Sequence, residues 1–307
     1  MHRPLALAAC ALALVLAAAG CANRVSRTDD ELSVVATTTE VADLVRNVGG
    51  DRVSVDTLLR PNADPHDYEP RPSDASAIAE ADVVVQSGGE VDEWLGDLLD
   101  NAGGDAHVAD LIDAVRTREG EGGDTDPHWW QDPRNAVLAV EAIRAALADA
   151  DPGGQEGYAK RAAAYERRLR RLDQAIARCV DEVAANKRKI VTTHDALGYY
   201  ADRYGIEVVG AVIPSLSTQA QPSARDVQRL VDQIRDEGVE AIFPESGLNP
   251  KLEEAVSREA GAEVGGKLWG DTLGPEGSSG DTYLKSLASN TETLVSGMSG
   301  GRVSCRP

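Results

Sequence analysis

Basic residues are the clearest shortage in this 307-residue chain: 31 Lys plus Arg stand against 51 Asp plus Glu, a formal charge of −20. That balance argues against a nucleic-acid partner, since phosphates reward Lys and Arg through counterion release. It fits a solvated protein, including one that handles cations. Cysteine is also scarce. Four in the whole chain cannot staple a miniprotein, and they lie too far apart in sequence for a Cys-rich zinc site. There is no H-E-x-x-H and no G-x-S-x-G, so the usual signatures of a zinc protease or a serine hydrolase are missing. Aromatic residues make up 4%, yet hydrophobic residues reach 42%, enough for real cores in one large domain or two ordinary ones. A disordered chain is excluded on the same ground.

Residues 1–20 read M-H-R, an Ala/Leu/Val run and then A-A-G before Cys21. A basic start, a short apolar core and small residues at its end are the parts of an export signal, and the run is short for a stable membrane span. Ala18-Ala19-Gly20-Cys21 resembles a bacterial lipobox, with Ala18 where Leu is usual. The resemblance implies a lipid on Cys21 and a polar tether over 21–31; the other reading is an ordinary cleaved signal with an incidental Cys. With Cys21 modified, Cys179 and Cys305 remain as one pair that an oxidising compartment can join. The alternative is a buried thiol at Cys179 and a loose one at Cys305.

From Leu32 short β-branched runs alternate with helix-like stretches. Strands are expected at 32–39, 53–59 and 81–88, with a helix over 40–50 that ends on Gly. Such alternation implies βαβ units and a mostly parallel sheet. D-P-G-G at 151–154 closes this region. Beyond it Tyr158, Ala162, Tyr165, Leu169, Leu172, Ile176, Cys179 and Val183 recur at spacings of four and three, the apolar stripe of one long helix. A coiled-coil dimer competes, but a strut between domains suits a helix inside the chain. Strands then resume at 189–194, 207–212, 241–245 and 262–268, and I-V-T-T-H-D-A-L echoes V-V-A-T-T-T-E-V-A-D-L. The expected fold is α/β: an N-terminal lobe over 32–153, a linker helix over 154–187 and a C-terminal lobe over 188–307.

Histidines supply the candidate chemistry. His66 lies in R-P-N-A-D-P-H-D-Y-E-P, His128 in D-P-H-W-W-Q-D-P, and His194 ends the strand K-I-V-T-T-H; His107 has no such setting. Asp-Pro-His thus occurs twice. Proline fixes the backbone before each His, and the neighbouring Asp could orient its ring. Open α/β sheets place ligands beyond the carboxyl ends of their strands, where His66, His194, Glu245 and Asp271 are all expected. Singly, each has a plainer role: a local hydrogen bond for a loop His, a turn cap for Asp271, a helix-start acid for Glu245.

Together these segments resemble the solute-binding lipoproteins of zinc and manganese ABC importers. The likeness runs through the lipobox, H-D-Y-E-P-R-P-S-D, D-P-H-W-W-Q-D-P, T-T-H-D-A-L-G-Y-Y, F-P-E-S and D-T-L-G followed by G-D-T-Y-L. It implies one metal ion held between two lobes by His66, His128, His194 and Asp271, with Glu245 as a supporting acid or alternative ligand. It also implies a membrane-anchored protein, a permease and an ATPase as partners, and no catalysis. Members of the zinc subgroup often carry a His-rich loop where this chain has R-E-G-E-G-G-D-T-D, without a single His. Three imidazoles and one carboxylate favour zinc if Asp271 binds through one oxygen, and admit manganese if it binds through two. The rival readings are a secreted zinc-dependent hydrolase, which needs an open metal position and a base, and a surface adhesin.

Overall fold

A computed structural model describes residues 31–120 and 123–307. The export segment, Cys21 and the tether as far as residue 30 lie outside the described residues. The first run of β-branched residues forms β1 (Leu32–Ala36), which is buried on both faces and followed by α1 (Thr39–Gly49). The Thr38 side chain accepts the Val41 N–H to start that helix, and Gly50, at φ 60°, ends it. β2 (Val53–Thr57), α2 (Pro72–Ala79), β3 (Val83–Gln86), α3 (Leu95–Ala102), β4 (His107–Asp110) and α4 (Pro133–Ala150) complete the first lobe.

The long amphipathic stripe forms α5 (Gln155–Asp181). Its 27 residues span about 40 Å at 1.5 Å per residue. Tyr158, Ala162, Tyr165, Leu169, Ile176 and Cys179 are buried along it, and the helix packs against α1 and α4 of the first lobe. The second lobe follows as β5 (Lys189–Thr192), α6 (Gly198–Tyr204), β6 (Glu207–Ala211), α7 (Ala224–Glu237), β7 (Ala241–Phe243), α8 (Lys251–Ala260), β8 (Glu263–Val264) and α9 (Tyr283–Met298). The last of these returns to pack on α5.

Each lobe holds one four-stranded parallel sheet. The orders are β2-β1-β3-β4 and β6-β5-β7-β8, the same winding twice. The sequence echo therefore has a structural counterpart, since β1 and β5 hold equivalent central places. The expected class, two α/β lobes joined by a long helix, is the observed one. Most strands are one to four residues shorter than the expected runs, and two depart further. β8 covers two residues rather than 262–268, because Gly265 and Gly266 interrupt it, although Leu268 still bridges Glu245. β4 was not expected: it is a half-exposed edge strand opening on His107, without the buried apolar alternation that marks a strand.

Candidate metal centre

In both sheets the chain order reverses beside the central strand, and the crevice outside the strand ends at that point is where such folds take ligands. β5 ends on Thr192 and carries the chain through Thr193 to His194, fully buried. Neighbouring β7 leads through Pro244 to Glu245, whose Oε1 lies 2.8 Å from His194 Nδ1 and accepts the His194 backbone N–H at 3.2 Å. That carboxylate accepts a hydrogen bond from Nδ1–H and turns Nε2 toward the cluster.

His128 has the same support from another source. Asp126 Oδ1 lies 2.8 Å from its Nδ1 and accepts its backbone N–H at 3.0 Å, with both residues inaccessible to solvent. His66 sits in a single helical turn, Pro65–Asp67, where Asp64 Oδ1 accepts its backbone N–H at 3.0 Å. Asp64 does not reach the ring, so the expected ring-orienting Asp is present beside His128 and absent beside His66. The His66 Nε2 is buried without a hydrogen-bond partner.

Asp271 closes the group from the loop after β8. Trp130 Nε1 and Gln131 Nε2 both donate to the Gly270 carbonyl, at 3.0 and 2.7 Å, and hold this loop against the first lobe. The Asp271 Oδ2 lies 3.0 Å from His194 Nε2 and 3.4 Å from His66 Nε2; its Oδ1 lies 3.6 Å from His128 Nε2. The two ring nitrogens of His128 and His194 are 3.3 Å apart. One donor atom from each of the four residues lies within 4.8 Å of every other. His66 and His128 come from the first lobe, His194 and Asp271 from the second.

Electrostatics follow from that crowding. Burial alone would raise the Asp271 carboxyl, yet His194 and His128 hold it well below the usual carboxylate range. Burial alone would lower the His194 imidazole, and Glu245 with Asp271 hold it well above its ordinary value. The site is thus poised to hold positive charge. Chemically it offers three imidazole nitrogens and up to two carboxylate oxygens to one cation.

All four residues, and Glu245 with them, are the ones that the sequence motifs point to, and they meet in the crevice. Glu245 faces the far nitrogen of His194 rather than the cluster. Cys179 and Cys305 lie elsewhere, with sulfurs at bonding distance and Cα atoms 5.6 Å apart, where the C-terminal tail meets α5. Three contributors escaped the sequence reading. The Trp130–Gln131 clamp lay within a motif noted for His128 alone. Arg118, which donates to Asp126 Oδ2 at 2.7 Å, looked like a surface charge. Glu40, on the first turn of α1 and buried, has no local sign of its position near Asp271.

Comparison with known proteins agrees with this construction. The family described as zinc-uptake complex component A, periplasmic (ZnuA), matches residues 34–297. A manganese-binding lipoprotein, MntA of Halalkalibacterium halodurans, is 33% identical over 94% of this chain and 96% of its own length. The iron-binding protein YfeA of Yersinia pestis is 31% identical over 92% of each. Among solved structures, the periplasmic zinc-binding protein TroA of Treponema pallidum superposes with a TM-score of 0.82 at 29% identity, over 88% of this chain and 99% of that one. None of these relatives is an enzyme by name. The chain belongs to the ZnuA family, the periplasmic metal-binding components of metal-uptake systems.

Proposed function

We propose that this protein captures one divalent transition-metal ion between its lobes and delivers it to an ABC permease driven by an ATPase. The observation that carries the reading is the meeting of four donor atoms, two from each lobe, at one buried point. Donors held about 2.0–2.1 Å from a central ion in a tetrahedron stand roughly 3.4 Å apart. The donor pairs around Asp271 and between His128 and His194 lie 3.0 to 3.6 Å apart, and all four donors lie within 4.8 Å of one another, spacings that support a shell around one ion. Ligands drawn from two lobes suit a clamp. Calcium and magnesium are disfavoured because they want oxygen shells. A hydrolytic reading is weakened further because Glu245, one of the two bases that it offered, is committed to His194.

Three imidazoles drew the sequence reading toward zinc. The family and one solved neighbour are named for zinc, while relatives at 31–33% identity are named for manganese and iron, so the comparisons support a divalent metal without choosing zinc. Both Asp271 oxygens border the cluster, which supports two-oxygen ligation and hence manganese as the cargo in the cell. By the Irving–Williams order zinc still binds more tightly in the test tube. The lipid on Cys21 would hold the protein at the outer face of the cytoplasmic membrane, within reach of the permease.

Metal analysis of protein from cells grown with both metals limiting should find one manganese per chain. In His66→Ala and His194→Ala the content should fall to zero while the circular dichroism stays that of the parent. Zinc alone in the parent would overturn the choice of cargo. Unchanged affinity in both variants would overturn the site.

A further inference from the structure

The repeated tripeptide Asp-Pro-His does more than present a ligand. In both copies the Asp Oδ1 accepts the N–H of its own His, at 3.0 Å each time, and the intervening Pro has no N–H to compete. Each carboxylate therefore keeps Oδ2 free to bond outward, and in both copies Oδ2 leads to the other lobe. Asp64 Oδ2 accepts the Thr218 hydroxyl at 2.7 Å; Thr218 belongs to the segment between β6 and α7. Next to it, the Gln219 side chain donates to the His66 carbonyl. Asp126 Oδ2 accepts from Arg118 Nη1 at 2.7 Å, and Nε of the same guanidinium donates to Asp202 of α6 at 2.8 Å. Tyr199, also on α6, donates to the Asp126 carbonyl at 2.8 Å. The second lobe is shaped to receive the arginine: a Cβ at Gly198 would fall 1.9 Å from Arg118 Nη1.

We propose that Asp64 and Asp126 are coupling residues, each tying one first-lobe histidine to the docking of the second lobe, with Thr218 and Asp202 as the catches of a double latch. This rests on the metal-site reading. Separating the lobes must break both links, and the same movement releases the turns that aim His66 and His128. Loss of the ion and opening of the lobes then become one event, so the latch sets the dissociation rate.

The test uses the mature protein with Mn2+ alone, followed by stopped-flow release to a chelator. Thr218→Val keeps the shape and removes the hydroxyl; it should release Mn2+ about tenfold faster, the effect of one lost hydrogen bond. Thr218→Ser should release at the parental rate, and Asp202→Asn should release faster than the parent. In the metal-free protein, amide exchange over 61–67 should rise in Thr218→Val while that of β1 is unchanged. Parental release from Thr218→Val, or equally fast release from Thr218→Ser, would overturn the latch alone. A parent that takes up neither Mn2+ nor Zn2+ would overturn the metal site, and the latch with it.

Discussion

Glu40 shows how much chemistry one buried side chain can carry. Burial lifts its carboxyl to about 8, and the Asp271 and Asp43 carboxylates push the same way; its own backbone N–H and the Thr39 hydroxyl, at 2.9 Å, pull back only in part. That hydroxyl also accepts the Leu273 N–H at 2.8 Å, so Glu40 is one bond removed from the Asp271 loop. The ordinary value is 4.5, so between about 4.5 and about 8 the folded protein holds a proton that the unfolded chain has lost. Stability from this residue is complete below that window and falls as pH rises through it, by about 1.4 kcal/mol per unit at most. Glu40→Gln keeps an acceptor for Thr39 and cannot ionise. The metal-free variant should melt above the parent at pH 8 and close to it at pH 5, by scanning calorimetry. Equal melting at pH 8 would mean that the fold holds Glu40 charged after all.

At the scale of elements, α5 is the member that both lobes share. Its first turns bury Tyr158, Ala162 and Tyr165 against α1 and α4, and its later turns meet α9. The Tyr165 hydroxyl and the Tyr283 backbone N–H both donate to Asp43 Oδ2, at 3.2 Å each, which joins α5, α9 and α1 at one carboxylate. A bond between Cys179 and Cys305 would fasten the C-terminal tail to the end of α5 and close a loop with a separation of 126 residues. Chain-entropy arithmetic for a loop of that size approaches 5 kcal/mol, and native disulfides deliver about 2–5 kcal/mol. Cys305→Ser should therefore lower the melting temperature by several degrees under oxidising conditions and leave metal stoichiometry at one. Reductant should do the same to the parent and nothing to the variant. Such a strut, tied at both ends, leaves room for small rocking of the lobes rather than wide hinge bending.

For the whole molecule, one hydrophobic core runs from the first lobe through α5 into the second, and metal should fasten the lobes further at the crevice. A ligand that binds only the folded state adds about 2.7 kcal/mol at one hundred times its dissociation constant. Mn2+ at that excess should raise the melting temperature by several degrees, and the rise should vanish in His194→Ala; a rise that survives would place the ion elsewhere. Much of this organisation was legible in one dimension. Short β-branched runs bounded by polar or Gly signals marked most strands, and the four-three stripe marked α5. The two Asp-Pro-His turns marked two of the three histidines at the site. Each is a local signal, since backbone periodicity and proline geometry act over a few residues. β4 was missed because an exposed edge strand has no buried face to pattern. The choice between zinc and manganese turned on how many oxygens Asp271 presents, which no local pattern encodes. Thr218 meets Asp64 across 154 positions and Leu273 meets Thr39 across 234, and no local pattern encodes either pairing. The sequence alone determined the two lobes and the strut, and pointed to the four residues that cluster in the crevice. Only the tertiary structure decided which carboxylate aims which ring, which proton Glu40 keeps and how the lobes catch each other, because those depend on burial and distance between segments far apart in the chain.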